Sequence, residues 1–146
     1  MNITTLKEYT PATADRIREL LIQLSRSGKD KGEIPEEWFE EVIASPHHDV
    51  LLATDDNGKI IGIAVLSTIF NFHTKKAYLE DFVTDSSIRG QGIGSKLWDA
   101  MLDWARTHNC QELNFTSGYD RKSAHQFYLH KDAQIYDTAF FRKPIA

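Results

Sequence analysis

The apolar positions change their period along the chain. After Thr10-Pro11, which reads as a helix start with Pro at the first helical position, Ile17, Leu20, Leu21 and Leu24 recur at i, i+3, i+4 and i+7. That is one apolar helical stripe. Pro35-Glu36-Glu37 opens a second helix: its early acids suit the positive end of the helix dipole, and Trp38, Phe39, Val42 and Ile43 supply an apolar face. Between them, Ser25 to Ile34 is polar, carries Gly28 and Gly32, and reads as an internal loop. Strand patterns follow. Val50 to Thr54 and Lys59 to Phe70 flank Asp55-Asp56-Asn57-Gly58. Asn-Gly between two such runs predicts a hairpin through a type I′ turn, whose two central residues both need positive φ.

Lys76 to Thr84 reads as a further strand, and a long amphipathic helix covers Gly92 to about His108, with Ile93, Leu97, Ala100, Met101 and Trp104 on one side. Glu112 to Thr116 is a strand, Ser123 to His130 a short helix, and Ile135 to Arg142 terminal strand material; Ile3 to Glu8 supplies the first strand. The order is β-α-α-β-β-β-α-β-α-β. Strands joined by tight turns are antiparallel, whereas Lys76 to Thr116 makes a right-handed parallel crossover. The expected fold is therefore α/β in content, with a mixed sheet and helices on both faces. No repeat or long linker interrupts residues 1–146, so one domain is expected.

Composition narrows the function classes. A net charge of −4 disfavours a general nucleic-acid binder. No apolar run reaches the ~18–20 residues of a membrane span, and Met1 to Tyr9 lacks the pattern of a secretion signal. The single cysteine, Cys110, cannot form an internal disulfide, which points to a cytoplasmic setting. The six histidines show no metal-ligand spacing, so no metal is expected. The acids Glu33, Glu36, Glu37, Glu40 and Glu41 read as a solvated helix face.

The most informative stretch is Arg89-Gly90-Gln91-Gly92-Ile93-Gly94-Ser95-Lys96, between a strand and the long helix. Glycines let a backbone turn sharply and approach a ligand closely. The free amides of a first helical turn, with the helix dipole behind them, form an anion site suited to phosphate or pyrophosphate. The P-loop pattern fails because Lys96 follows Ser95 and no matching upstream glycine exists; the dinucleotide fingerprint fails because position 95 is Ser.

Arg89-x-x-Gly92-x-Gly94, directly after Tyr78-Leu79-Glu80-Asp81-Phe82-Val83, resembles the acyl-CoA-binding motif of the GNAT family of N-acetyltransferases. Ala124-His125-Gln126-Phe127-Tyr128 resembles the family's C-terminal helix motif. The stretch YLEDF is similar to diamine acetyltransferases, and TSGYDRKSAHQFY to aminoalkylphosphonate and aminoglycoside-type relatives. The resemblance implies the GNAT fold, acetyl-CoA as co-substrate, a small-molecule primary amine as acceptor and a homodimer. It implies pyrophosphate binding by the amides of Gly90, Gln91, Gly92, Ile93, Gly94 and Ser95, positive charge from Arg89, help from Lys122 and Ser123, and pantetheine pairing with the main chain of Phe82 and Val83, where the two central parallel strands splay apart. A protein or peptide acceptor, or a non-catalytic coenzyme A-binding module, are the alternative readings.

Amide formation from an ammonium ion needs a base, because a pKa near ~10.4 leaves about one amine in a thousand neutral at pH 7. In a regular strand Tyr78, Glu80 and Phe82 share one face and Leu79, Asp81 and Val83 the other. Glu80 and Asp81 are thus expected to point oppositely from an otherwise apolar strand, where a carboxylate needs a partner or a purpose. Glu80 matches the base position of diamine enzymes and Asp81 an acidic position in phosphonate-type relatives. Tyr128 matches the family's acid for the leaving thiolate. Relatives follow this helix with Gly, where this chain has Lys131-Asp132-Ala133, and Asp tolerates the left-handed conformation better than most residues. Trp38, Phe39, Phe70, Phe72 and Tyr119 are candidates for an acceptor pocket or for packing.

Overall fold

A computed structural model describes all 146 residues. The chain forms two compact units, Met1–Phe115 and Thr116–Ala146. The first contains strands β1 (Asn2–Thr5), β2 (His48–Thr54), β3 (Ile60–Phe70), β4 (Lys75–Thr84) and β5 (Glu112–Asn114), with helices α1 (Pro11–Leu24), α2 (Glu36–Ala44) and α3 (Ile93–Thr107). The sheet order is β1-β2-β3-β4-β5. The first four strands pair antiparallel, and β5 is parallel to β4. This is the mixed sheet that the periodicity predicts.

Register assigns the two faces. Val50, Leu52, Ile63 and Val83 join a buried cluster with Ala14, Ile17 and Leu20 of α1 and Phe39 of α2. Gly62 lies on the other face, where an added Cβ would come within 2.9 Å of Leu97 Cδ1 on α3. Helices therefore cover both sides. Thr10 caps α1, its hydroxyl accepting from the Thr13 amide at 3.1 Å. In α3, Ile93, Leu97, Trp98, Met101, Trp104 and Ala105 are buried, a wider apolar face than the sequence pattern alone marked. Trp38 departs from expectation: it is 66% exposed, while its neighbour Phe39 carries the burial of α2.

The β2–β3 hairpin forms, but not through a type I′ turn. Gly58 has φ +80, whereas Asn57 is not among the positive-φ residues. The Gly58 amide donates to the Asp55 carbonyl at 3.0 Å, and the Asp55 carboxylate accepts from the amides of Asn57 and Lys59. This side-chain-supported turn ends in a left-handed glycine, so only one residue needs positive φ.

The second unit contains α4 (Lys122–His130). Asp132 follows with φ +64, and the Ala133 amide reaches back to the Tyr128 carbonyl at 3.0 Å. Aspartate thus takes the left-handed closing position commonly held by glycine. The expected strand over 135–142 is absent: no strand is formed between Thr116 and Ala146. Alternating apolar residues form a strand only when another strand takes up their backbone hydrogen bonds, and all five paired strands belong to the first unit. Ile135, Tyr136, Phe140, Phe141 and Ile145 are left exposed.

Candidate active site

The site in the first unit begins with an irregularity in β4. Leu66 pairs with Leu79 and Ala64 with Phe82, so the single residue Val65 stands opposite both Glu80 and Asp81. This is a β-bulge, which re-aims side chains and is common beside active sites. Ala64 and Leu66 lie on the α3 face, hence so do their partners Phe82 and Leu79. Val65 packs on the α1–α2 cluster, and Glu80 and Asp81 lie with it on that opposite face. The expectation that the two carboxylates point oppositely, and that Phe82 shares a face with Glu80, is therefore overturned. The extra residue resets the alternation between Leu79 and Phe82.

Electrostatics agree with this placement. Partial burial raises the Glu80 carboxyl above its ordinary pKa, and the Asp81 charge raises it further. Burial likewise raises Asp81, opposed by the positive charge of Lys31 in the α1–α2 loop. Both carboxyls thus hold their protons more tightly than in water, and Glu80 also senses the charge of Asp81. Lys31 drew no attention in the sequence, because nothing in a polar loop marks which cation faces a strand.

Beyond the bulge β4 ends at Thr84, and a 3₁₀ turn at Ser86–Ile88 leads into the glycine loop. Gly90 and Gly92 have φ +87 and +77, a region in which side-chain-bearing residues are strained. Gly92 caps α3, and the first intrahelical bond runs from the Lys96 amide to the Gly92 carbonyl at 3.1 Å. The amides of Ile93, Gly94 and Ser95 therefore have no intrahelical acceptor, as at any helix start. An added Cβ at Gly90 or Gly92 would meet nothing within 4 Å, so the loop backbone is bare and open. Arg89 and Gln91 are exposed beside it. This arrangement suits a diphosphate.

The β4–β5 pairing covers only Lys76–Tyr78 with Glu112–Asn114, although β4 itself runs on to Thr84. The two parallel strands thus pair at one end only, and Phe82 and Val83 lie on the other stretch of β4.

In the second unit, Lys122 and Ser123 occupy the first turn of α4 and are exposed. Tyr128 lies near its end, its ring edge-on to Phe127 with centroids 5.7 Å apart. Burial raises the phenol above its usual pKa, with Arg121 pulling the other way.

The candidate pocket aromatics are dispersed. Phe39 is core, and Tyr119 is 95% exposed. Phe70 and Phe72 flank an open depression with His47, His73 and Lys75 at the β3–β4 turn, the end of β4 away from the glycine loop. No group of three or more His, Cys, Asp or Glu residues could hold a metal ion. Cys110 is half-buried, and burial raises its thiol pKa, the reverse of what an activated nucleophile needs.

Comparison with known proteins places this geometry. The model of the Acetyltransferase (GNAT) family matches residues 14–131. An uncharacterized N-acetyltransferase, YhdJ, of Bacillus subtilis is 37% identical over 68 residues, 47% of this chain; the match spans about half of that relative, 48%. An aminoalkylphosphonate N-acetyltransferase of Salmonella typhimurium is 25% identical over 97% of this chain and 90% of its own length. Among solved structures, an aminoglycoside N-acetyltransferase in complex with CoA superposes with a TM-score of 0.79 at 18% identity, over 99% of this chain and 95% of that one. With the family match running from α1 through α4, this chain belongs to the acetyltransferase (GNAT) family and is an acetyltransferase.

Proposed function

We propose that this enzyme transfers an acetyl group from acetyl-CoA to a primary amine of a small molecule, by direct attack of the amine on the thioester. The observation that carries the reading is the pairing, within one unit, of a bare glycine loop at the start of α3 with a β4 bulge that presents two carboxylates on one face. The relatives named for aminoalkylphosphonates and aminoglycosides act on small amines, which favours that acceptor class over a protein or peptide. The family match across both units supports one catalytic domain.

Acetyl-CoA supplies the activated acyl group. The amides of Gly90, Gln91, Gly92, Ile93, Gly94 and Ser95 hold its diphosphate, with Arg89 adding charge and Lys122 and Ser123 further contacts. The main chain of Phe82 and Val83 holds the pantetheine arm; the one-ended β4–β5 pairing supports this. Glu80 takes the proton from the incoming ammonium, directly or through water, and Asp81 tunes it. A raised carboxyl pKa narrows the gap to the amine and makes proton transfer easier. Tyr128, a protonated phenol at neutral pH, donates to the departing thiolate.

A thiol-release assay with acetyl-CoA across a panel of diamines, aminoalkylphosphonates, aminoglycosides and lysine peptides tests the reading. Turnover is expected on at least one small amine and not on the peptides. Turnover on peptides alone transfers the assignment to a protein acceptor. Coenzyme A binding without any turnover makes the chain a coenzyme A-binding module.

The protein works as a homodimer in a reducing, cytoplasmic setting on this reading. Tyr136, Phe140 and Phe141 are 85%, 74% and 89% exposed. Burying aromatics of ~150–250 Å² each reciprocally in a two-fold pair removes about 900–1,500 Å² from water, which reaches the range of a stable interface of ~1,200–2,000 Å². Light scattering is expected to give twice the chain mass, falling to the single-chain mass in a Phe140→Asp, Phe141→Asp variant. A parent of single-chain mass refutes the dimer.

A further inference from the structure

A polar network centred on the buried Asp85, between α1 and the end of β4, has no part in the chemistry just described, yet it ends where the glycine loop begins. Arg16 on α1 donates through Nε to the Ile60 carbonyl at 2.8 Å and through Nη2 to the Asp85 carboxylate at 2.6 Å, with Nη1 on Glu19 at 2.8 Å. The side chains of Arg16 and Asp85 are only 16% and 8% exposed. The other Asp85 oxygen accepts from the Ser87 amide at 3.0 Å and the Ser87 hydroxyl at 2.9 Å. Gln23, two turns along α1 from Arg16, accepts from the Ser86 amide at 2.8 Å. The Ile88 amide donates to the Asp85 carbonyl at 3.1 Å, and the Asp85 amide to the Ile61 carbonyl at 2.8 Å.

Each amide of the 3₁₀ turn Ser86–Ile88 is thereby committed: one to Gln23, one to the Asp85 carboxylate and one to the Asp85 carbonyl. The next residues are Arg89, Gly90, Gln91 and Gly92. Glycine loops have many accessible conformations, and their phosphate affinity depends on being held in one of them before the ligand arrives. The polar positions 16 and 23 bracket Leu20 on one helix face, so the cluster that buries Leu20 also fixes Arg16 and Gln23 against β4.

We propose that Arg16, Gln23 and Asp85 are positioning residues: α1 grips the turn preceding the glycine loop and so sets the affinity for the diphosphate of acetyl-CoA. This rests on the acetyl-CoA-binding assignment of that loop. The three side chains touch neither acceptor nor thioester. Loosening the grip therefore affects the acetyl-CoA-binding term and leaves the chemical step intact once the loop is filled.

The test is a split of kinetic constants in Arg16→Ala, Arg16→Lys and Gln23→Met. Arg16→Ala is expected to raise KM for acetyl-CoA about tenfold, since small misplacements of binding groups are costly. Its kcat at saturating acetyl-CoA and its KM for the amine should stay within about twofold of the parent. Arg16→Lys restores the charge but not the fork to Asp85 and Ile60, so it should recover part of the loss. Gln23→Met leaves the Arg16–Asp85 ion pair intact and removes the Ser86 amide's acceptor together with the long 3.5 Å bond from Gln23 Nε2 to Asp85, so a smaller rise of about threefold is expected. It also decides the matter if Arg16→Ala does not fold. A merely structural network would lower the melting temperature and the active fraction, hence kcat, with KM unchanged; that result overturns the proposal. Calorimetric titration of the parent with coenzyme A separates the two levels. A parent that does not bind removes the loop assignment itself, whereas a parent that binds no better than folded Gln23→Met and Arg16→Ala removes only the role of α1.

Discussion

Replacing Glu80 by Gln is expected to lower turnover at pH 7 by about 10²-fold or more, the range typical of losing a positioned general base, with the deficit shrinking as the pH approaches the amine's own pKa near ~10. The raised Glu80 carboxyl, pushed up first by burial and then by Asp81, predicts the acid limb of the parent's kcat/KM profile. Activity falls as pH drops through the elevated folded value, at a higher pH than an exposed glutamate would give. Asp81→Asn removes the neighbouring negative charge, so Glu80 becomes more acidic and the limb moves to lower pH. Stability moves the other way. A group whose folded pKa is raised binds its proton more tightly in the native state. Its contribution to stability is therefore present at low pH and lost as pH rises through the folded value. Glu80→Gln is accordingly expected to leave the melting temperature at pH 7 unchanged or slightly higher while activity collapses. A mutant whose pH–rate profile parallels the parent's at all pH values removes Glu80 as the base.

That double signature depends on a feature hidden from sequence periodicity. The elements themselves were legible, because amphipathic stripes such as Ile17, Leu20, Leu21 and Leu24 and the alternation around Asn57-Gly58 arise from burial, which acts residue by residue. The glycine loop was legible for a related reason: positive φ at Gly90 and Gly92 is a local demand that selects glycine wherever it occurs. A bulge is different. It is a mismatch between two strands, and no property of Tyr78 to Val83 alone says that Val65 will face two residues. Strict alternation therefore assigned Glu80 and Asp81 to opposite faces, and only the register with β3 brings them together. The turn at Asp55–Gly58 and the segment 135–142 failed for similar reasons. An aspartate side chain competing for amides changes which turn forms, and a strand pattern does not say whether another strand will pair with it. The Arg16–Asp85 network spans 69 positions. Its only trace in the sequence is a pair of polar residues on the face of a helix otherwise given to leucine.

Gly92→Val tests the other half of the site, and it separates space from backbone. Nothing lies within 4 Å of a Cβ built at Gly92, so the first side-chain carbon has open space. What it cannot do comfortably is hold φ +77 and ψ 10 at the cap of α3. Left-handed backbone costs a side-chain-bearing residue roughly 1–2 kcal/mol, more when it is β-branched. The variant loop therefore relaxes when empty, and acetyl-CoA must drive it back to align the amides of Ile93, Gly94 and Ser95. Affinity should fall by about the strain, or about five- to thirtyfold, since ~1.4 kcal/mol is tenfold. Gly92→Asn, whose side chain is better tolerated in that region, should lose much less. Gly58 supplies the control: it has φ +80 in the β2–β3 hairpin, and a Cβ there also meets nothing within 4 Å. Gly58→Val carries the same backbone strain away from the loop, so it should lower the melting temperature without changing coenzyme A affinity in calorimetry. Equal affinity in the Gly92→Val and Gly58→Val proteins would mean that the conformation at Gly92 has no role in holding the ligand, and the diphosphate would have to be bound elsewhere on the chain.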